Sequence, residues 1–121
     1  MNLSTQFRPI IDEFIANLET FATGSYLKEE EREFWEQPFD PAALPRLRAL
    51  LEAFLSKVET TNVDETSAIT LTTQFFTRLS DFNAEYADAV IEPEEQEEII
   101  SFVHQVFLSR GIEIEELPEF E

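Results

Sequence analysis

"ETSAITLTTQFFTRLSDFNAEYADAV", residues 65–90, reads two ways. Its threonines and aromatic residues favour a strand by propensity. Its period favours a helix. Ala68, Thr72, Phe75, Leu79, Phe82 and Tyr86 step by four, three, four, three and four, and Ile69, Phe76 and Val90 widen the same face. Thr70, Thr73, Gln74, Thr77, Asp81 and Asp88 take the other side. Periodicity outranks propensity over a stretch this long. The segment is therefore expected to be one helix over 65–90, capped by Asp64.

The segments on either side repeat the pattern. Leu3, Phe7, Ile10, Ile11, Phe14, Ile15, Leu18, Phe21 and Ala22 form one helical stripe, with Ser4 or Thr5 as its cap and Gly24 as its stop. Pro9 suits only a first turn, which places the start near residues 5–7. A short helix is expected over 27–36, with Ser25 as cap and Pro38 as stop. Asp40-Pro41 opens a turn. The next helix starts around Pro45 and carries Leu47, Leu50, Leu51, Phe54, Leu55 and Val58 inward, with Arg46, Arg48, Glu52 and Lys57 outside.

The last helix begins in "EPEEQEEIISFVHQVF", residues 92–107. Pro93 is a first-turn residue, and Glu94, Glu95, Glu97 and Glu98 sit where the helix dipole favours negative charge. Ile99, Ile100, Phe102, Val103, Val106 and Phe107 form its buried face, and Arg110 and Gly111 close it.

The fold class is therefore all-α: a compact bundle of four amphipathic helices plus one short helix, mostly antiparallel because the connections are short. Residues 1–111 make one domain. Residues 112–121 alternate apolar and acidic side chains, and are expected either to pack Ile112, Ile114 and Leu117 on the bundle or to form a loose acidic arm.

Composition narrows function by exclusion. The chain has 121 residues and no cysteine, so disulfides, zinc-thiolate sites and thiol catalysis are ruled out. The first residues lack the basic start and apolar run of a signal peptide, and no stretch is apolar enough to span a bilayer, so a cytoplasmic protein is expected. Twenty-six acids, 21 of them glutamate, face eight bases, for a net charge of −18. Such a field repels nucleic acid and anionic membrane and attracts basic proteins, although solubility alone also accounts for it.

Motifs are few. Asp81, Asn83, Glu85 and Glu92 fall at positions one, three, five and twelve of a calcium loop, but Tyr86 stands where that loop needs glycine. The spacing is a coincidence of an acid-rich chain, and no metal or cofactor is expected. His104 is the only histidine, beside the apolar arc of its helix, and reads as a half-buried or surface residue. The serines sit at caps or on helices, and the two glycines read as helix stops rather than a phosphate loop. One aromatic and acidic cluster stands out: Tyr26, Glu30, Glu33, Phe34, Trp35, Glu36 and Phe39. Rings framed by charge suit a partner-binding patch, though they equally suit a cover over one end of the core.

The reading these observations support is a non-catalytic acidic interaction protein (an adaptor, an inhibitor or immunity-like protein, or a charge mimic) that binds a basic protein partner. A small-molecule binder or enzyme with an interhelical pocket is the rival, and a self-associating structural subunit the third. A homodimer is compatible with the composition.

Overall fold

The computed structural model describes residues 3–24, 27–32, 39–60 and 64–114. Its helices are α1 (Leu3–Thr23), α2 (Glu29–Arg32), α3 (Ala43–Thr60), α4 (Glu65–Glu85) and α5 (Pro93–Ser109). The protein is an all-α bundle, with no strand among the described residues.

Local chemistry explains most boundaries. Gly24 takes a left-handed φ of 68° and its N–H returns to the Thr20 carbonyl, which ends α1. Asp40 Oδ1 accepts from the Ala42 N–H at 2.9 Å, and the turn it makes leads into α3 with Pro45 in the first turn. Asp64 caps α4 by accepting the Ser67 N–H at 2.8 Å. That hydrogen bond is the main reason the Asp64 carboxyl is held below its ordinary value. Pro93 opens α5, with Glu94 and Glu95 in its first turn.

Two expected boundaries are wrong, the start of α1 and the end of α4. Helix α1 begins at Leu3, so Ser4 and Thr5 lie inside it and Pro9 stands in its interior rather than its first turn. A proline in a helix removes one hydrogen bond, and here Leu3, Phe7 and Ile11, buried before and after it, hold the helical path. The described part of the short helix covers only Glu29–Arg32; Ser25 and Pro38 lie outside the described residues.

Helix α4 stops at Glu85, not at Val90. Tyr86 to Asp88 turn, with Ala87 and Asp88 at φ of 57° and 59°. The side chain of Asn83 is the cause. It is buried, its Oδ1 accepts from the Val90 and Ile91 N–H groups, and its Nδ2 donates to the Ile91 carbonyl. Those bonds draw the chain back across the helix end and replace the helical ladder. Val90 is buried as expected, but by this loop.

Side-chain pairs fix the directions. Arg46 meets Glu85 and Phe54 meets Phe75, so α3 and α4 run antiparallel. Asp12 meets Arg48 across α1 and α3, and Arg110 at the end of α5 lies 3.9 Å from Glu59 at the end of α3. Phe7 meets Phe102 across α1 and α5, while Phe21 lies beside Glu94. Helix α3 thus runs antiparallel to α4, α1 antiparallel to α5, and α5 parallel to α3.

Phenylalanines fill the centre. Phe54 stacks on Phe75 with centroids 4.3 Å apart and meets Phe107 edge-on at 5.8 Å. Leu50 and Ile100, expected inside, are half-buried, and Ile69 is exposed. The tail begins as expected: Ile112 is half-buried and Ile114 buried, while Leu117 lies outside the described residues.

Candidate binding groove between α1 and α5

Backbones approach within 8 Å chiefly between α3 and its two neighbours, α1 and α4. Helices α1 and α5 meet differently. Phe7 and Phe102 pack edge to face, 5.8 Å between centroids. A groove runs along the seam. It comprises three adjoining hollows of about 280, 280 and 440 Å³. The first and second share Phe14, Asn17 and Glu98; the second and third share Leu18, Phe21, Glu94 and Glu95.

The walls differ in kind. On α1, Ile10, Phe14, Asn17 and Phe21 line the groove at spacings of four, three and four. On α5, Glu94, Glu98, Ser101 and Gln105 line it at the same spacings. Because the helices are antiparallel, Phe21 stands opposite Glu94 at one end and Ile10 opposite Gln105 at the other. The α1 wall carries Ile10, Phe14 and Phe21 together with Glu13, Asn17 and Thr20, while the α5 wall is mostly polar. Ile11, Ile99 and Phe102 form the floor.

Two of the groove's apolar residues are open to water. Phe21 is 49% exposed and Ile10 is 37% exposed. Both belong to the stripe that the sequence marks as core. The stripe is wider than the face that is buried, and these two residues fall on its edge. The mirrored spacing of Glu94, Glu98, Ser101 and Gln105 is the sequence signal for the second wall; its glutamates read first as helix-start residues. The dipole accounts for Glu94 and Glu95. Glu98 lies a turn further in and gains less from it.

The acidic end has a measurable electrostatic character. The Glu95 carboxyl is pushed above its ordinary value, first by partial burial and then by the charges of Glu92, Glu94 and Glu98, against its own backbone N–H. Among the described residues, no ion pair reaches Glu13, Glu94, Glu95 or Glu98. Two described cations are engaged elsewhere: Arg46 pairs with Glu85 at 2.6 Å, lies over the rings of Phe82 and Tyr86, and donates to the Tyr86 hydroxyl; Arg48 pairs with Asp12 at 2.7 Å.

The other residues singled out by sequence are placed as follows. Phe39 is buried, with 7% exposure, and closes the far end of the groove beside Leu18 and Phe21. Glu30 is exposed on α2. Tyr26, Glu33, Phe34, Trp35 and Glu36 lie outside the described residues. In the calcium-like spacing, Asn83 is buried and bonded to the backbone of Val90 and Ile91, Glu85 is engaged by Arg46, and Asp81 and Glu92 are exposed. Among the described residues no three acidic or histidine side chains converge as a metal site would need. His104 is half-buried on α5. No described helix is long and apolar enough to cross a membrane.

Compared with known proteins, the chain matches no protein-family model, no curated protein and no solved structure.

Proposed function

We propose that this is a non-catalytic interaction protein whose α1–α5 groove receives a basic segment of a partner protein. The observation that carries the reading is the half-exposed Phe21 set beside Glu94 and Glu95. An apolar side chain next to carboxylates that no described ion pair engages suits a ligand that is greasy and cationic at once. The net charge of −18 adds long-range attraction for such a partner and works against nucleic acid.

The reading is tested by capture from cell extract on the immobilised protein, at low and high salt, beside a Phe21→Asp variant. A basic protein retained at low salt, released at high salt and lost with the variant is the expected result. Retention that ignores salt sinks the electrostatic reading. Retention that ignores the variant moves the site away from the groove.

A further inference from the structure

We infer that the outer face of α4, widened by the adjoining outer side of α3, is the contact through which two copies of this chain associate about a two-fold axis. The surface is separate from the α1–α5 groove, and the inference does not depend on what the groove binds. Three observations lead to it.

The first is charge. Residues 66–77 hold no Asp, Glu, Lys or Arg, the longest such run in a chain of which 28% is charged. Thr66, Ile69, Thr70, Thr73, Gln74 and Thr77 are its exposed members. Alongside, between Arg46 and Lys57, α3 exposes Ala49 and Ala53 and half-buries Leu50. Arg48 and Glu52 belong to its α1 side, where Arg48 meets Asp12. The border of the face carries Arg46, Lys57 and Arg78 against Asp64, Glu65, Asp81 and Glu85, close to balance in a chain with 26 acids and eight bases. A second copy has the same net charge of −18 and is repelled wherever acids are dense. Here that repulsion is least. A basic partner is under no such restriction and is drawn to the acids instead.

The second is how little the face loses when covered. Thr70, Thr73 and Thr77 donate their hydroxyls to the carbonyls four residues earlier, at 3.2, 2.9 and 2.9 Å. Those donors are already used within α4, so covering them strands few hydrogen bonds. Ile69, 38% exposed, adds an apolar side chain to the same face. The third is self-complementarity. A two-fold contact needs a patch that matches itself. Turned onto its own copy, this patch opposes no like charges within it. Lys57 and Arg78 are held by no ion pair among the described residues, which leaves them free to meet border acids of the second copy. The two helices together offer about 18 by 20 Å. An area that small gives a weak dimer that depends on concentration.

Sedimentation velocity over about a hundred-fold range of concentration, at low and high salt, tests the inference. The expected result is a reversible monomer–dimer equilibrium that tightens several-fold at high salt, because screening relieves the repulsion between two copies of like charge. That salt response is opposite to the one expected for a basic partner. Thr73→Glu sets a charge at the centre of the face, twice in the dimer, and should weaken it at least about ten-fold. Ala16→Glu adds the same charge at an exposed position on α1 and should weaken it less than about two-fold. Both are exposed helix positions where glutamate is a good helix former, and thermal melts verify that both variants are folded. A monomer at every concentration and salt overturns the inference. Equal weakening by the two variants reduces the association to net charge and overturns the face. A dimer indifferent to Thr73→Glu, or one dissolved by salt, overturns it as well. Assemblies that grow past two copies overturn the two-fold.

Discussion

Asn83 grips Ile91 through both backbone groups of that residue: its Oδ1 accepts the Ile91 N–H at 2.8 Å, and its Nδ2 donates to the Ile91 carbonyl at 2.9 Å. A single side chain thereby imitates a two-bond pairing between backbones. Oδ1 also takes the Val90 N–H at 3.1 Å, so the amide orientation is fixed by two donors that only an oxygen can serve. Helix α4 ends where this pairing begins, and α5 starts two residues after Ile91.

Asn83→Ala leaves buried N–H and C=O groups without partners. The expected cost is about 2–4 kcal/mol, since an orphaned buried group costs roughly 1–3 kcal/mol and the loop can rehydrate in part. Urea unfolding measures it. A change below about 0.5 kcal/mol would mean that the loop holds itself without the side chain.

Ala87 and Asp88 both take a left-handed backbone, and Ala87 is the less suited to it. At φ 57° its Cβ crowds the following carbonyl, and no side-chain hydrogen bond compensates as an aspartate's can. Ala87→Gly should stabilise by about 0.5–1 kcal/mol, the relief of the left-handed strain less the extra entropy of glycine in the unfolded chain. Asp88→Gly should gain less, because Asp tolerates this region better. Denaturant midpoints of the two variants decide it, and a loss with Ala87→Gly contradicts the assignment.

Glu95 gives a pH signature. Its folded-state pKa lies above the unfolded value, because partial burial and three neighbouring glutamates disfavour the ionised form. The folded state therefore holds its proton longer, and stability falls as pH rises from the unfolded pKa through the folded one. Glu95→Gln should raise the melting temperature at neutral pH and have little effect below the unfolded carboxylate range. Melts across that pH range check the sign. A variant less stable at neutral pH would show that the charge is welcome where it sits.

Phe54 joins three helices, stacked on Phe75 and edge-on to Phe107, with Phe102 at 6.3 Å. Phe54→Ala should cost about 3–5 kcal/mol, a large part of the roughly 5–15 kcal/mol that holds a domain of this kind together. Chemical denaturation gives the value. A cost near 1 kcal/mol would show that the rings repack around the gap.

The sequence carried the bundle more clearly than its edges. Spacing identified Leu47, Leu51, Phe54, Leu55 and Val58 as the inner face of α3, and all five are buried. It misplaced the end of α4 because Tyr86 and Val90 continue the helical count, and no glycine or proline announces the break. The informative residue was Asn83, an amide on an otherwise apolar face, which is more at home bonding backbone than lining a core. Ile10 and Phe21 show a second limit. Periodicity reports which residues share a face, but how much of that face is covered is decided by tertiary packing, which leaves Ile10 and Phe21 exposed.

The groove joins α1, the first helix, to α5, the last, whereas the α3–α4 seam lies between helices adjacent in the chain. Anything seated in it buckles the two ends of the fold together, so separating them requires letting go of the guest. Binding there should register in the melting of the entire domain, rising with ligand concentration as RT ln(1 + [L]/Kd). A plain thermal-shift plate, run against basic peptides, thus becomes a search tool for the natural partner; a genuine guest that left the melting curve unmoved would place its contact elsewhere.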